Sequence, residues 1–370
     1  MHFAAHSHHP WPDVTRDAQL EAWNDATFLA DQKWDRVFGE MLPRAQAHVA
    51  RVLNLPNART VTFAPNTHAL VLRILSCLPQ GRVVRVLTTD AEFHSFSRQI
   101  DRLSEDNLVE VVRVAAEPHA TFATRFRSAL DQSTFDLVFL SEVFFNSGFV
   151  VRDLARLLEG VPRETFVVVD GYHSFNAIPI DFSLLANRAF FLSGAYKYAM
   201  SGEGAAFVHA PDGYGERPRD TGWFASFDSL AVKGDTRVAY PAGGARFMGA
   251  TFDPSGIYRF VSVMDLLERE KLDVSSVHAH AHALQRRFLE RLEASGPRVL
   301  RDARLVVESS GERGRFLTFE FEGANDAFQK LLAKEIVTDV RGRRLRFGFG
   351  LYHAEAELEP AMKRIADVLE

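Results

Sequence analysis

The chain has 370 residues, of which 46% are hydrophobic and 25% charged, a composition typical of a folded globular protein rather than a disordered or fibrous one. Its 43 lysines and arginines against 48 aspartates and glutamates give a net charge of −5, which argues against a broadly basic nucleic-acid or membrane-surface binder. No apolar run approaches the ~18 residues of a spanning helix, the N-terminus lacks a signal-peptide pattern, and Cys77 is the single cysteine. We therefore expect a cytoplasmic protein without a disulfide, a nucleic-acid partner or a membrane segment.

The N-terminal residues 1–44 are rich in prolines and tryptophans around Trp11, a pattern that predicts an extended arm running into a helix and packing with the small domain and the active site. After this arm, short β-branched and aromatic runs alternate with helical stretches. The runs lie at 60–63, 83–87, 109–114, 137–140, 166–169, 189–192 and 205–208. Runs that are apolar on both faces are typical of a parallel sheet covered by helices, with crossover helices expected at 69–75, 123–130 and 151–158. Residues 45–245 are therefore predicted to form a large α/β domain.

The pattern changes in residues 246–370. Residues 257–292 are amphipathic and predict one or two long helices, and 315–321 alternates like a half-buried strand. A helix at 327–334, a strand at 345–349 and a closing helix at 356–369 complete the series. The sequence therefore predicts a linker helix followed by a small α+β C-terminal domain.

Two polar residues follow predicted buried strands. Asp170 comes directly after the strand at 166–169, and Lys197 lies just past the strand at 189–192. Carboxyl ends of parallel strands form the ligand-binding edge of open α/β folds. For Asp170 alone a capping or turn role is the alternative. A lysine at such an edge is costly unless it is solvated, paired or covalently used.

An aspartate and a lysine on neighbouring strand ends suit pyridoxal phosphate chemistry. The lysine amine forms a Schiff base with the cofactor aldehyde, and the carboxylate keeps the pyridine nitrogen protonated. The phosphate needs donors at a helix start, and Asn66 and Thr67 follow a strand and open a predicted helix.

No metal site is predicted, because His278 and His282 have ligand spacing but lack a third ligand nearby in the sequence.

These residues, in this order, resemble the class V aminotransferase group of fold-type I pyridoxal phosphate enzymes, and within it the kynureninase family. The resemblance rests on Asp170 and His173, on the pair Tyr196 and Lys197, and on the preceding phosphate turn. It extends over about residues 45 to 355. It implies a large domain with a mostly parallel sheet, a small C-terminal domain, and a homodimer with shared active sites.

The resemblance also implies individual roles. Lys197, Asp170 and His173 are the expected catalytic residues, with Lys197 as the Schiff-base lysine and Asp170 as the partner of the pyridine nitrogen. The remaining expected cofactor contacts are Asn66, Thr67, Phe93, Tyr196, Trp223 and, across a dimer interface, Thr251. The expected substrate contacts are Arg346 for the α-carboxylate, Phe145, and His6 and Ser7 of the arm, whose alternative is a flexible segment.

Two departures from the family patterns bear on the reaction. Phe145 stands where the kynureninase pattern has a tyrosine, so a proton-transfer group is missing for hydrolytic Cβ–Cγ cleavage. Cys77 lies in the first predicted helix of the large domain, whereas the persulfide-forming cysteine of desulfurases lies late in the chain. Despite the first departure, the resemblance predicts kynureninase-like hydrolysis of an α-amino acid, with a class V aminotransferase, lyase or epimerase as alternatives. The position of Cys77 excludes thiol-based desulfuration.

Overall fold

The computed structural model describes residues 1–229, 237–308 and 311–370, so that 230–236 and 309–310 of the two predicted domains lie outside the described residues. The helices are α1 Val14–Phe28, α2 Lys33–Arg36, α3 Leu42–Leu53, α4 Thr67–Leu75, α5 His94–Glu105, α6 Phe122–Gln132, α7 Leu154–Leu157, α8 Ser255–Arg269, α9 Val274–Ser295, α10 Arg298–Arg301, α11 Ala324–Ala333 and α12 Leu358–Leu369. The strands are β1 Val61–Ala64, β2 Val84–Thr89, β3 Val109–Val114, β4 Leu137–Ser141, β5 Phe166–Asp170, β6 Phe190–Gly194, β7 Ala206–His209, β8 Arg304–Leu305, β9 Phe316–Glu320, β10 Asp339–Arg341 and β11 Arg344–Gly348.

The large domain is built on a seven-stranded sheet in the order β1-β7-β6-β5-β4-β2-β3. Strands β2 to β6 pair in parallel, and β7 runs antiparallel to both of its neighbours, β1 and β6. Every residue of β4 and of β6 is buried, because helices cover both faces of the sheet. The mostly parallel sheet predicted from the sequence is confirmed.

The small domain is a four-stranded antiparallel sheet in the order β10-β11-β9-β8. Apolar residues of α9, α11 and α12 pack on this sheet in one hydrophobic cluster. The N-terminal arm joins it, because Phe3 lies in the same cluster and Ala4 forms a parallel bridge with Gly348 at the end of β11. The start of the arm therefore packs against the small domain, whereas Ala18 and Ala22 of α1 join the core of the large domain.

The predicted domain limits fall inside secondary structure. The limit at 44/45 lies within α3, and the limit at 245/246 lies within a short 3-10 helix, Gly243–Phe247. Helix α8 belongs with the large domain by its packing, because Ile257 and Phe260 join the core of that domain. The helix predicted at 151–158 is a single turn, α7, whose N-cap Asp153 has a positive φ of 50°. A left-handed residue ends the preceding extended segment and prevents an earlier helix start.

Among the residues that the structure describes, no helix is both long enough and apolar enough to cross a membrane.

Candidate active site

A cavity of about 300 Å³ opens at the carboxyl ends of β4, β5 and β6, beside the start of α4. The topology explains its position, because parallel strands expose their carboxyl ends at one edge of the sheet. Eight of the residues predicted for the site line it together: Asn66, Thr67, Phe93, Phe145, Asp170, His173, Tyr196 and Lys197. Residues that are far apart in the sequence therefore meet in one place.

Lys197 follows β6 and is 5% exposed. Its Nζ lies 2.7 Å from Nε2 of His173 and 4.6 Å from the ring centre of Tyr172. Burial lowers the pKa of Lys197 to about 7, because desolvation outweighs the opposing charge of Asp170. Near neutral pH a substantial fraction of the amine is therefore unprotonated and nucleophilic.

Asp170 is the last residue of β5, and its Oδ1 accepts a hydrogen bond of 2.9 Å from the backbone N–H of Tyr172. Burial raises the pKa of Asp170, while that hydrogen bond and the charge of Lys197 lower it. The side chain lines the cavity, so that a cationic ring nitrogen placed there would stabilise the carboxylate.

The turn between β1 and α4 is an N-capped helix start. Asn66 is the N-cap, and its Oδ1 accepts from the backbone N–H of Ala69 at 3.0 Å. Residues 65–68 line the cavity, so the first turn of a nine-residue helix lies beside it. Unpaired N–H groups and the helix dipole make this turn suitable for a phosphate.

The cavity fits pyridoxal phosphate. Lys197 has no carboxylate within ion-pair distance among the described residues, and Nδ1 of the buried His173 has no hydrogen-bond partner there. One cavity is therefore lined by a lysine without a carboxylate partner, by a carboxylate and by a helix start, which are suitable partners for the aldehyde, the ring nitrogen and the phosphate of the cofactor. The half-buried ring of Phe93 lines the same space and can stack on a planar ring.

The backbone around this lysine is closely packed. A Cβ atom added at Gly194, the last residue of β6, would lie 2.1 Å from the hydroxyl oxygen of Tyr172. Glycine at this position therefore lets the tyrosine ring lie beside Lys197.

Arg346 lies outside the residues that line the cavity. It is 2% exposed on β11, and its Nη2 donates to Oδ2 of Asp339 at 2.6 Å. Its Nη1 donates to the carbonyl oxygen of Phe145, and within the described residues its Nε has no partner. Burial lowers the pKa of Arg346 to about 10, which still leaves the guanidinium charged at neutral pH.

His6 is fully buried next to Arg346. Its ring stacks on Phe316 with centres 4.6 Å apart, and its Nε2 lies 4.0 Å from Oδ2 of Asp339. A Cβ added at Gly348 would lie 2.2 Å from the His6 ring, so the arm docks where the strand has no side chain. Both ring nitrogens of His6 lack hydrogen-bond partners in the described part of the chain. Burial lowers the pKa of His6 well below its usual value, which keeps the ring neutral.

The other predicted contacts lie away from the cavity. Ser7 follows His6 in the arm and makes a 3.4 Å contact with the ring of His8. Trp223 is 41% exposed and stacks on Phe224, and Thr251 is exposed in the loop before α8. The roles assigned to Ser7, Trp223 and Thr251 therefore stay predictions.

Sequence reasoning did not identify several residues around the site. Ser141 and Tyr172 line the cavity, Glu92 hydrogen-bonds Ser141 from behind, and Asp339 pairs with Arg346. Ser141 ends a buried strand, so its position in the sequence could have identified it. Asp339 lies in a strand of three residues, which is too short to show an alternating pattern.

Cys77 lies just past the end of α4, not within it as predicted, and it does not line the cavity. Its Sγ approaches the carbonyl oxygens of Arg73 and Gly215 at 3.5 and 3.8 Å. Burial raises the pKa of the thiol to about 12, so it is protonated and a poor nucleophile. Within the described residues there is no cluster of three or more histidine, cysteine or acidic side chains that could hold a metal ion.

Comparison with known proteins identifies the family of the chain. The family model described as Aminotransferase class-V matches residues 18–344. No curated protein sequence matches the chain. Solved structures share its fold. A complex of the cystine C–S lyase C-DES with its reaction product cysteine persulfide is 18% identical with a TM-score of 0.84, covering 100% of this chain and 98% of that one.

Two further structures are similarly related. A C-DES mutant with glycine covalently linked to its pyridoxal phosphate cofactor is 19% identical with a TM-score of 0.82, covering 99% of this chain and 96% of that one. The apo cysteine desulfurase of Thermococcus onnurineus NA1 is 15% identical with a TM-score of 0.80, covering 100% and 94%. With most of its length matched by the family model, the chain belongs to the class V aminotransferase family of pyridoxal phosphate-dependent enzymes.

Proposed function

We propose that the protein is a lyase that acts on an α-amino acid carrying a leaving group on Cβ. The observation that supports this most is the buried Lys197, which lines one cavity together with Asp170 and so can act as the single base that elimination needs. Pyridoxal phosphate, when bound, supplies an electron sink for the negative charge that develops at Cα. Elimination then requires one base and a fixed substrate.

Lys197 is the proposed base. With a substrate amine bound in its place, the free Nζ of Lys197 would take the proton from Cα, and the Cβ–X bond would break with its electron pair leaving on X. The three-carbon remainder is released as pyruvate and ammonia after addition of water. His173, whose Nε2 lies 2.7 Å from Nζ, orients the lysine by accepting a hydrogen bond from it. The neutral ring suits this role, because burial lowers the pKa of His173 well below its usual value.

Kynureninase-like hydrolysis is the second candidate. Tyr196, directly before the lysine, favours it, because the kynureninase pattern has tyrosine where desulfurases have histidine. Phe145 disfavours it, since a phenyl ring 8% exposed at the cavity wall cannot transfer a proton. None of the three structures named above is a kynureninase. Transamination and epimerisation share the same lysine and remain alternatives.

The reaction can be assigned by incubating the loaded enzyme with cystine, β-chloroalanine, L-kynurenine and a panel of unsubstituted amino acids. We expect pyruvate and ammonia from the β-substituted compounds. Conversion of the cofactor to pyridoxamine phosphate with release of a keto acid would show a transaminase instead, and efficient anthranilate release would show a kynureninase.

Replacing Phe145 with tyrosine tests the second candidate. The native enzyme should release anthranilate from L-kynurenine slowly, and Phe145→Tyr should increase that rate by about 10²-fold if the pocket otherwise accepts kynurenine, the lower end of what a general acid contributes. Phe145→Leu is the control, because it changes the ring without adding a hydroxyl. Rapid anthranilate release by the unchanged enzyme would show that another residue supplies the proton.

We also propose that the protein is a homodimer with shared active sites. Large apolar side chains are exposed on α1, where Trp23 is 62% and Phe28 79% exposed, and Trp223 is exposed near the loop that carries Thr251. In an isologous dimer of the kind that the family resemblance implies, each Thr251 would contribute to the partner's phosphate site. A cytoplasmic location remains a prediction from the sequence.

Mixing two inactive variants tests the dimer. Thr251→Asp sets a negative charge against the partner's phosphate, and Lys197→Ala removes the base. A heterodimer of the two keeps one intact site, so an equal mixture should regain about a quarter of wild-type activity after exchange. Each variant mixed with itself is the control. A monomer in sedimentation would contradict the proposal.

A further inference from the structure

Glu92 is a buried acid directly behind the cofactor cavity. It follows β2, is 4% exposed, and does not line the cavity itself. Nothing in the proposed reaction uses it. Burying a carboxyl group costs free energy unless its oxygens are hydrogen-bonded or its charge is removed by protonation.

Both oxygens of Glu92 are hydrogen-bonded. Oε1 accepts from the Thr89 hydroxyl at 2.6 Å and from the backbone N–H of Ser141 at 3.2 Å. The Thr89 hydroxyl in turn accepts from the backbone N–H of Ala91 at 3.1 Å, which directs its proton to Glu92. Oε1 therefore behaves as a carbonyl-type acceptor. Oε2 lies 2.6 Å from the hydroxyl oxygen of Ser141. Either group can be the donor in this hydrogen bond, because a hydroxyl can donate or accept and a protonated carboxyl group can donate.

Ser141 connects Glu92 to the cofactor site. It is the last residue of β4, lines the cavity, and pairs with Asp170 in the parallel ladder of β4 and β5. Paired residues of a parallel ladder point to the same face of the sheet, so the hydroxyl and the Asp170 carboxylate lie side by side. Ser141 therefore has a buried acid on one side and the cavity on the other.

The charges around Glu92 determine whether its carboxyl group is protonated. Glu92 and Asp170 are two carboxyl groups in one poorly solvated region, and like charges disfavour each other's ionisation. Burial, with a smaller contribution from the charge of Asp170, raises the pKa of Glu92 to about 7, although the hydrogen bonds from Ser141 and Thr89 lower it. The charge of Lys197 favours Asp170 as the ionised member of the two, and a protonated ring nitrogen of the bound cofactor would favour it further.

We propose that Glu92 is a positioning residue for the cofactor site. As a neutral acid, Glu92 donates a hydrogen bond from Oε2 to the hydroxyl oxygen of Ser141. The Ser141 hydroxyl then directs its own proton towards the cavity beside Asp170. Ser141 then offers a hydrogen-bond donor to the cofactor. This inference rests on the cofactor and is independent of which reaction the enzyme catalyses.

Glutamine at position 92 imitates the neutral acid, because its carbonyl can accept at Oε1 and its amide can donate to Ser141. We expect the dissociation constant of pyridoxal phosphate, measured by titrating the apo-protein and following the absorbance of the bound cofactor, to stay within about threefold of wild type in Glu92→Gln. Glu92→Ala and Ser141→Ala should each weaken binding by about tenfold, and the double variant should be no weaker than either one.

Glu142→Gln is the matched control, since Glu142 is also buried and follows Ser141 in sequence but does not line the cavity. It should leave cofactor binding unchanged while thermal unfolding reports any change in stability. If Glu92→Ala does not fold, the cofactor affinities of Glu92→Gln and Ser141→Ala still test the proposal. The proposal is overturned if Glu92→Gln binds as weakly as Ser141→Ala, if Ser141→Ala binds normally, or if Glu142→Gln weakens binding equally.

Discussion

Replacing Arg346 with alanine should weaken substrate binding by ~2–5 kcal/mol, the range for removing one partner of a buried charge pair. The guanidinium already donates to Asp339 and to the carbonyl oxygen of Phe145, and its Nε is unpartnered within the described residues. We propose that the substrate carboxylate binds to the remaining N–H groups. The expected result is an increase in KM of about 30- to 5,000-fold, at 1.36 kcal/mol per factor of ten, with the borohydride-sensitive cofactor absorbance retained.

Arg315 provides the control for this variant. It directly precedes β9, is 2% exposed like Arg346, and like Arg346 does not line the cavity; its Nε donates to the carbonyl oxygen of Ala177 at 2.7 Å. Arg315→Ala should lower thermal stability without a comparable change in KM. A second control, Arg346→Lys, keeps the charge but loses the planar fork, so it should bind substrate poorly. If Arg346→Lys binds substrate like the wild type, a bidentate carboxylate contact is wrong.

Replacing Lys197 with alanine should lower turnover by at least ~10³-fold, because it removes both the covalent attachment and the base at Cα. Lys197→Arg should be as inactive, since a guanidinium is not nucleophilic. In the wild-type apo-protein, the rate at which pyridoxal phosphate attaches should rise as the pH rises through about 7, where the Lys197 amine loses its proton. Stopped-flow absorbance measures that rate. A rate independent of pH between 6 and 8 would contradict the lowered pKa.

The strand-end residues of the site could be predicted from the sequence. The apolar runs that became β5 and β6 place Asp170 and Lys197 at their carboxyl ends, and a parallel sheet brings such ends to one edge. The helix start at Asn66 was predictable for the same reason, since a strand, a turn and a polar capping residue occur in order. These contacts follow from local pattern and fold class.

Contacts between distant segments could not be predicted in this way. The pair of Arg346 and Asp339 joins two short antiparallel strands, and the register between them does not show in local periodicity. His6 is buried against Phe316 because the arm crosses the small domain at Gly348, which depends on tertiary packing. The hydrogen bond between Glu92 and Ser141 depends on the directions of two side chains that are far apart in the sequence, which a local pattern does not show.

Borohydride reduction of the protein loaded with pyridoxal phosphate, followed by proteolysis and mass spectrometry, tests the central claim most directly. Lys197 is the buried lysine of the cavity, and reduction fixes the cofactor to the amine that holds it. We predict a pyridoxyl group on the peptide that contains Lys197, and none on the same peptide of Lys197→Ala. A pyridoxyl group on a different lysine, or no labelled peptide in the loaded wild-type protein, would contradict the account.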